Sequence, residues 1–354
     1  MRWWLDLRLR DYVIRRLLLI IPVLIGVSMM TFTLSHVIGD PVAAYITSQE
    51  VRLTEEQLQR IIVAHHLNDP LYLQYFYYIS DLLRGDWGIS RTDSDRPVLV
   101  SIQHYLPATV ELSLVSMVFA LALGIPIGII SAVRKDKPVD HATRVFSLVG
   151  VSMPVFWLAL ILQYVFYYQL KIHNLPSLPS GGRVDQFVWL DHPLQSITGL
   201  YTVDSLITGN FPVFLSAVAH LILPGFALSY IFMAVFVRMM RSSMLEVMRQ
   251  DYITLARSKG LSERVVIYRH ALRNAMIPTV TVAGLAFGGL LAGAVLTETV
   301  FSFPGIGRWS TGAIVRDDVA SIMGFMLIIA VVYMMANLIV DLLYAAIDPR
   351  IRLG

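Results

Sequence analysis

The side chains able to do chemistry are sparse in this 354-residue chain, and their spacing fits no catalytic device. His65–His66 is the only adjacent pair among nine histidines, and imidazoles can bind metals or move protons. Neither an H-E-x-x-H motif nor a serine-hydrolase elbow accompanies the pair. There is no cysteine, so disulfide and thiol chemistry are excluded. A phosphate loop of the form G-x-x-x-x-G-K-[ST] is also absent. Glu111, His220, Glu298 and Asp341 fall within long apolar runs, where an ionisable residue is a functional candidate by default. Their placement argues for blander roles. The acids lie towards the ends of the runs, Glu111 within reach of water, and His220 reads as a hydrogen-bonded helix contact. The residues therefore point to no catalytic group and no metal site.

What remains is a stretch suited to mechanical work. Residues 245–275, LEVMRQDYITLARSKGLSERVVIYRHALRNA, carry six of the 28 Lys/Arg residues between two strongly apolar segments. The pattern predicts two helices around a break at Lys259–Gly260–Leu261. Gly260 suits the left-handed stop just past the first helix. Ser262 is placed as N-cap of the second, with Glu263 in its first turn and Leu261 and Val266 as a hydrophobic staple. Tyr252, Leu255 and Ala256 share a helical face, with Arg249, Arg257 and Lys259 largely elsewhere. Such a hairpin, thrust out of a membrane protein, is suited to gripping a soluble partner, although an ordinary loop would share its polarity.

The elements that must hold this hairpin are membrane helices. The chain is 56% hydrophobic and 15% charged, with mean hydropathy +0.64, far from an ordinary soluble domain. Apolar runs free of Lys and Arg recur at 17–35, 106–132, 145–170, 212–237, 276–300 and 320–347, each long enough to cross a bilayer. The fold class is all-α: a polytopic membrane protein with six transmembrane helices. Residues 1–16, 133–144, 238–275 and 348–354 hold 19 Lys/Arg in 73 residues, against nine in the 130 residues of the other connections. The positive-inside rule then places both termini and the hairpin in the cytoplasm. The basic balance reflects topology, and nucleic-acid binding is not needed to explain it.

Residues 1–105 read as a basic surface helix with Trp3 and Trp4, a first span kept as a signal anchor, and an external helical insert. The insert holds helices from Thr54 and over Leu71–Leu83, then the turn-rich Gly85–Ser90. Residues 106–354 read as a five-helix core bearing the hairpin. The tyrosines at 164, 167 and 168 could line a passage or form an interfacial belt. Gly284 and Gly288 stand at the spacing of a tight helix interface.

In order and spacing, the chain resembles the permease subunits of the dipeptide/oligopeptide (peptide/nickel) class of ATP-binding-cassette importers, of the first-permease type. The resemblance rests on Tyr12, Arg15–Arg16 and Pro22, Gly39–Asp40–Pro41, Gly85–Asp86–Trp87–Gly88–Ile89–Ser90, Leu106–Pro107–Ala108–Thr109 and Gly150–Val151–Ser152. It continues with Leu178–Pro179–Ser180–Gly181, Ala256–Arg257–Ser258–Lys259–Gly260–Leu261, Arg269–Ala275, Glu298–Phe301 and Asp348–Arg352. Of the general importer signature in the hairpin, only Ala256, Gly260 and Leu272 hold; Thr254 and Leu255 depart from it.

The resemblance implies half of a translocation pathway for peptides in the cell membrane, completed by a second permease. It implies two cytoplasmic ATPase subunits, with ATP and Mg bound there and no cofactor in this chain, and an external substrate-binding protein. Coupling to the ATPase then falls on Asp251, Tyr252, Ala256, Gly260 and Leu261, with Ala256 and Leu261 as an apolar pair entering a groove. Residues lining the pathway are not assigned. Oligosaccharide or nickel-chelate import is an alternative with the same architecture. An ion-coupled secondary transporter is a more distant one, since neither an inverted repeat nor a set of midplane charges is visible.

Overall fold

The computed structural model describes the backbone of residues 2–37, 42 and 54–347, and side chains within 14–37, 42, 54–291 and 294–340. Gly39–Asp40–Pro41 and Asp348–Arg352 lie outside the described residues, as do the side chains of Trp3, Trp4, Tyr12 and Asp341. The all-α, six-span reading is borne out. Helices long and apolar enough to cross a membrane cover Ile14–Val37, Val98–Val133, Val155–Ile172, Phe211–Val247, Glu263–Leu291 and Val319–Val340. The chain is a multi-pass membrane protein. It divides into two compact units, residues 1–109 with 304–354, and residues 110–303.

In the first unit, α1 (Arg2–Val37) carries Pro22 without interruption. The insert folds as α2 (Glu55–Ala64) and α3 (Leu71–Arg84). Thr54 and Gln57 form a reciprocal capping box at the start of α2, and Gly85 ends α3 at φ +86°. Helix α3 is hydrogen-bonded to α1 through Tyr75 and Ser28 at 2.9 Å, and through Gln74 and His36 at 3.0 Å. Next come the two-residue strands β1 (Ile89–Ser90) and β2 (Arg96–Pro97), paired antiparallel. Helix α4 (Val98–Val133) follows, then, at the far end of the chain, α14 (Ile306–Val315) and α15 (Val319–Ile347). Buried Asp318 gathers this unit: it accepts from the Thr92 N–H at 2.8 Å, the Ser321 hydroxyl at 2.7 Å and the Ser90 hydroxyl at 3.3 Å. Val98, Ile102, Ile306, Trp309 and Ala320 pack beneath it.

The second unit contains most of α4, then α5 (Pro138–Ser152), α6 (Val155–Gln163), a π-helical turn at Tyr164–Gln169 and α7 (Leu170–Ile172). The expected run at 145–170 is therefore two helices. Pro154 cannot donate a backbone hydrogen bond and keeps Met153 extended, at ψ 124°. Short helices α8 (Gln186–Asp191) and α9 (Tyr201–Ile207) lead into α10 (Phe211–Val247). After α11 (Asp251–Ser258), a continuous helical segment comprises α12 (Glu263–Val265), a second π turn at Val266–Ala271, and α13 (Leu272–Val300).

Helix α10 is the axis of this unit. Of its most apolar window 72% is buried, against 17% for the Val155–Ile172 span. Small residues let its neighbours approach closely. A Cβ on Gly128 of α4 would lie 2.7 Å from Met240 Cβ and 2.9 Å from the Val237 carbonyl; one on Gly289 of α13 would lie 3.0 Å from the Phe232 ring. Around this axis Tyr230, Met233, Phe236 and Val237 pack against Ala120 and Ala286.

Candidate functional site

The polar stretch folds as an elbow, with boundaries that differ from the expected pair of helices. Helix α10 stops at Val247, a tight turn spans Met248–Gln250, and α11 is an eight-residue helix lying between two spans. The second expected helix is the beginning of α12–α13. Gly260 adopts φ +76°, as its role at the break requires, and its N–H bonds the Arg257 carbonyl at 2.9 Å. Ser262 occupies the N-cap position with extended dihedrals but makes no side-chain cap. Instead, Glu263 reaches back across the turn and accepts two hydrogen bonds from Arg257, at 2.7 and 3.2 Å. Both side chains are exposed, so the pair supports the turn by well under 1 kcal/mol, roughly.

One face of α11 is rooted in the protein. Ile253 is fully buried and Ala256 is 6% exposed, and both pack with Met240, Met244, Val266, Ile267 and Ala271. The other face keeps Tyr252 and Leu255 at 39% and 56% exposed, and Leu261 just past the turn is also 39% exposed. Ala256 and Leu261 are thus not a pair on one outer surface, and Ala256 does not share a face with Tyr252 and Leu255. The rows 252/255 and 253/256 are adjacent on a helix. The second packs inward because Ile and Ala fill the narrow gap beside α10, whereas Tyr252 reaches out to accept a hydrogen bond from Asn274 Nδ2 at 2.7 Å. Asp251 is the first residue of α11 and is exposed, favourably placed at the positive end of the helix dipole.

A buried clamp holds the ground beneath the elbow, and no motif in the sequence marks it. Asp140 on α5 is fully buried and takes Arg241 of α10 bidentately, at 2.6 and 2.9 Å. Arg144 donates at 3.1 Å, the Asp136 N–H at 3.0 Å, and Ser131 of α4 at 2.7 Å. Arg241's hydrogen bonds outweigh the burial that opposes ionisation and hold the Asp140 carboxyl far below the ordinary carboxylate range. Met240 and Met244, the residues that bury α11, flank Arg241 along α10. Asp140 was visible in the sequence only as an acid in a short, basic connection.

A second network lies in the same unit at the opposite end of α13. Glu111, expected within reach of water, is 2% exposed; Arg183 donates to one carboxylate oxygen from Nε and Nη2, at 3.0 and 2.5 Å. The Thr202 N–H and hydroxyl take the other oxygen, both at 2.7 Å. Tyr201 lies on the guanidinium at 3.6 Å and stacks on Trp189. The pair pins the 180–202 connection to α4. His220 is satisfied by the Ser216 carbonyl of its own helix at 2.7 Å, not by a neighbouring helix. Among the described residues no cluster of His, Asp and Glu could hold a metal.

Comparison with known proteins gives concordant matches. A family described as the binding-protein-dependent transport system inner membrane component matches residues 124–353, and the corresponding N-terminal family matches residues 9–123. The chain is 45% identical to the dipeptide transport system permease protein DppB of Alkalihalophilus pseudofirmus, over 96% of this chain and 99% of that one. It is 44% identical to DppB of Escherichia coli K12, covering 97% and 98%. Its identity to the oligopeptide transport system permease protein AppB of Bacillus subtilis is 36%, covering 96% and 99%.

Proposed function

This chain belongs to the family of inner membrane components of binding-protein-dependent transport systems, the permease component of ATP-binding-cassette importers, and on that premise we propose that it forms half of a pathway importing short peptides. The names of its relatives, dipeptide permeases at 44–45% identity over nearly the whole chain, support peptide over sugar or nickel chelate as cargo. A second permease completes the pathway, an external binding protein delivers the peptide, and two separate ATPase subunits bind ATP and Mg. The 19-to-nine division of positive charge supports a cytoplasmic elbow and cytoplasmic termini.

Coupling runs through the elbow. The observation that carries this is the two-sidedness of α11, rooted through Ile253 and Ala256 while Tyr252, Leu255 and Leu261 stand exposed. Exposed apolar side chains on a polar elbow suit a groove in a partner. Rooting against Met240 and Met244 lets force on that helix pass into α10. In this scheme Asp251, Tyr252 and Leu261 meet the ATPase, Gly260 shapes the turn, and Ala256 anchors it from within.

The test is the complex reconstituted with its partners in proteoliposomes. Leu261→Asp, which places a charge on the outer face, should leave insertion and assembly intact but abolish peptide-stimulated ATP hydrolysis and uptake together. Coupled transport at wild-type rates in that variant and in Tyr252→Ala would refute the assignment.

A further inference from the structure

The residues of the translocation pathway carry no assignment, and one concavity in the second unit has the shape and chemistry for a station along it. It lies beside the π turn that follows α6 and opens widely to the surroundings. Its walls include Gln163, Tyr164, Tyr167, Tyr168, Ser180 and Ser302. Helix α13 separates it from the elbow. Val300, at the concavity, ends a helix that begins at Leu272, so the two lie roughly 40 Å apart.

The floor is rigid. Gln163 Nε2 donates to the Ser180 carbonyl at 2.6 Å and to the Val300 carbonyl at 3.2 Å, tying the 180–182 segment to the end of α13. The Gly182 N–H bonds the Phe301 carbonyl at 3.0 Å, and Gly181 lies so near that carbonyl that no Cβ would fit. The tyrosine wall is open. Tyr164 and Tyr168 stack with centroids 5.7 Å apart and are 54% and 52% exposed. A π turn, rare within helices and frequent at functional sites, presents them. Among the described residues no lining side chain carries a formal charge; at the rim, Lys171 donates to the Tyr167 hydroxyl at 3.1 Å.

We propose that this concavity is a low-affinity station for the backbone of a short peptide in transit, on the side of the membrane opposite the elbow. The assignment rests on the importer reading above. Tyrosine hydroxyl groups in the wall can exchange hydrogen bonds with the amide groups of a peptide main chain, and tyrosine faces accept side chains of any kind. Uncharged walls avoid selecting among acidic, basic and neutral cargo. They also hold it weakly enough to release it, as passage requires.

The experiment introduces a charge and reads selectivity. Uptake of a lysine-containing and a glutamate-containing dipeptide is measured in proteoliposomes for wild type, Tyr168→Glu, Tyr168→Lys and Ser302→Asp. Ser302 lies at φ +47°, a conformation that Asp tolerates, so this variant guards against misfolding at Tyr168. Glu and Asp should raise the cationic-to-acidic uptake ratio about two- to fivefold, and Lys should lower it by a similar factor, the range of an exposed charge pair. The binding protein, a separate polypeptide, keeps its affinities. Peptide uptake with an unchanged ratio in all three variants overturns the station, leaving the tyrosines as an interfacial belt. A wild-type complex indifferent to peptides overturns the importer's cargo as well.

Discussion

The clamp beneath the elbow gives the sharpest prediction. Asp140→Asn keeps the size of the side chain but removes the charge that accepts from Arg241 at 2.6 and 2.9 Å and from Arg144 at 3.1 Å. Losing one member of a buried ion pair costs about 3–5 kcal/mol. Arg241 retains 21% side-chain exposure and so recovers some hydration, and Asn can still accept one bond; a loss of about 2–3 kcal/mol is expected. That corresponds to a fall of about 4–10 °C in the unfolding midpoint of the detergent-solubilised protein. A cycle with Arg241→Met should show coupling of at least about 1 kcal/mol. The same substitution should weaken ATPase coupling, since it loosens α10 beside Met240 and Met244. Acidity offers an independent check. The Asp140 carboxyl is depressed in the folded state, so its contribution is present above the unfolded carboxylate value near pH 4 and lost only as pH falls through the lower, folded value. The stability gap between wild type and Asp140→Asn should therefore stay constant from pH 8 to about pH 5. Additive losses in the cycle, or a gap that closes near pH 6, would refute the clamp.

Three further outcomes are expected. Gly260→Ala should cost about 1 kcal/mol from the φ of +76° alone, because among the described residues nothing lies within 4 Å of the added Cβ; Gly260→Asn should cost less, and thermal midpoints will rank the two. Gly128→Val drives carbon into Met240 and the Val237 carbonyl and should destabilise by about 1–3 kcal/mol. Met240→Ala, added to it, should recover part of the loss in the same melting assay. Arg183→Met leaves Glu111 buried without its cation and should expose the 180–202 connection to limited proteolysis, whereas Arg183→Met with Glu111→Gln should restore much of the protection.

The spans were legible in the sequence because apolar length is the strongest signal a membrane helix leaves. Gly260 was legible because a glycine just past a helical pattern is the common left-handed stop. The inward face of α11 was not, because Tyr252, Ile253, Leu255 and Ala256 offer two adjacent apolar rows and only tertiary packing chooses between them. The split of the 145–170 run could have been read from Pro154, whose effect on Met153 is local. The ion pairs Asp140–Arg241 and Glu111–Arg183 join positions 101 and 72 residues apart, and one sequence carries no trace of which distant charges meet. The π turns also escaped, since helical periodicity read in isolation does not reveal one extra residue per turn.

Residues Glu263–Val300 form one continuous helical segment with a π turn at Val266–Ala271 and Pro278 within it, roughly 55 Å along its path. Its near end is the descending arm of the elbow, and its last carbonyl, Val300, is held by Gln163 in the floor of the tyrosine cradle. On the coupling proposed above, this helix would carry the stroke of the ATPase directly into the shape of the cradle, so peptide release would keep time with nucleotide turnover.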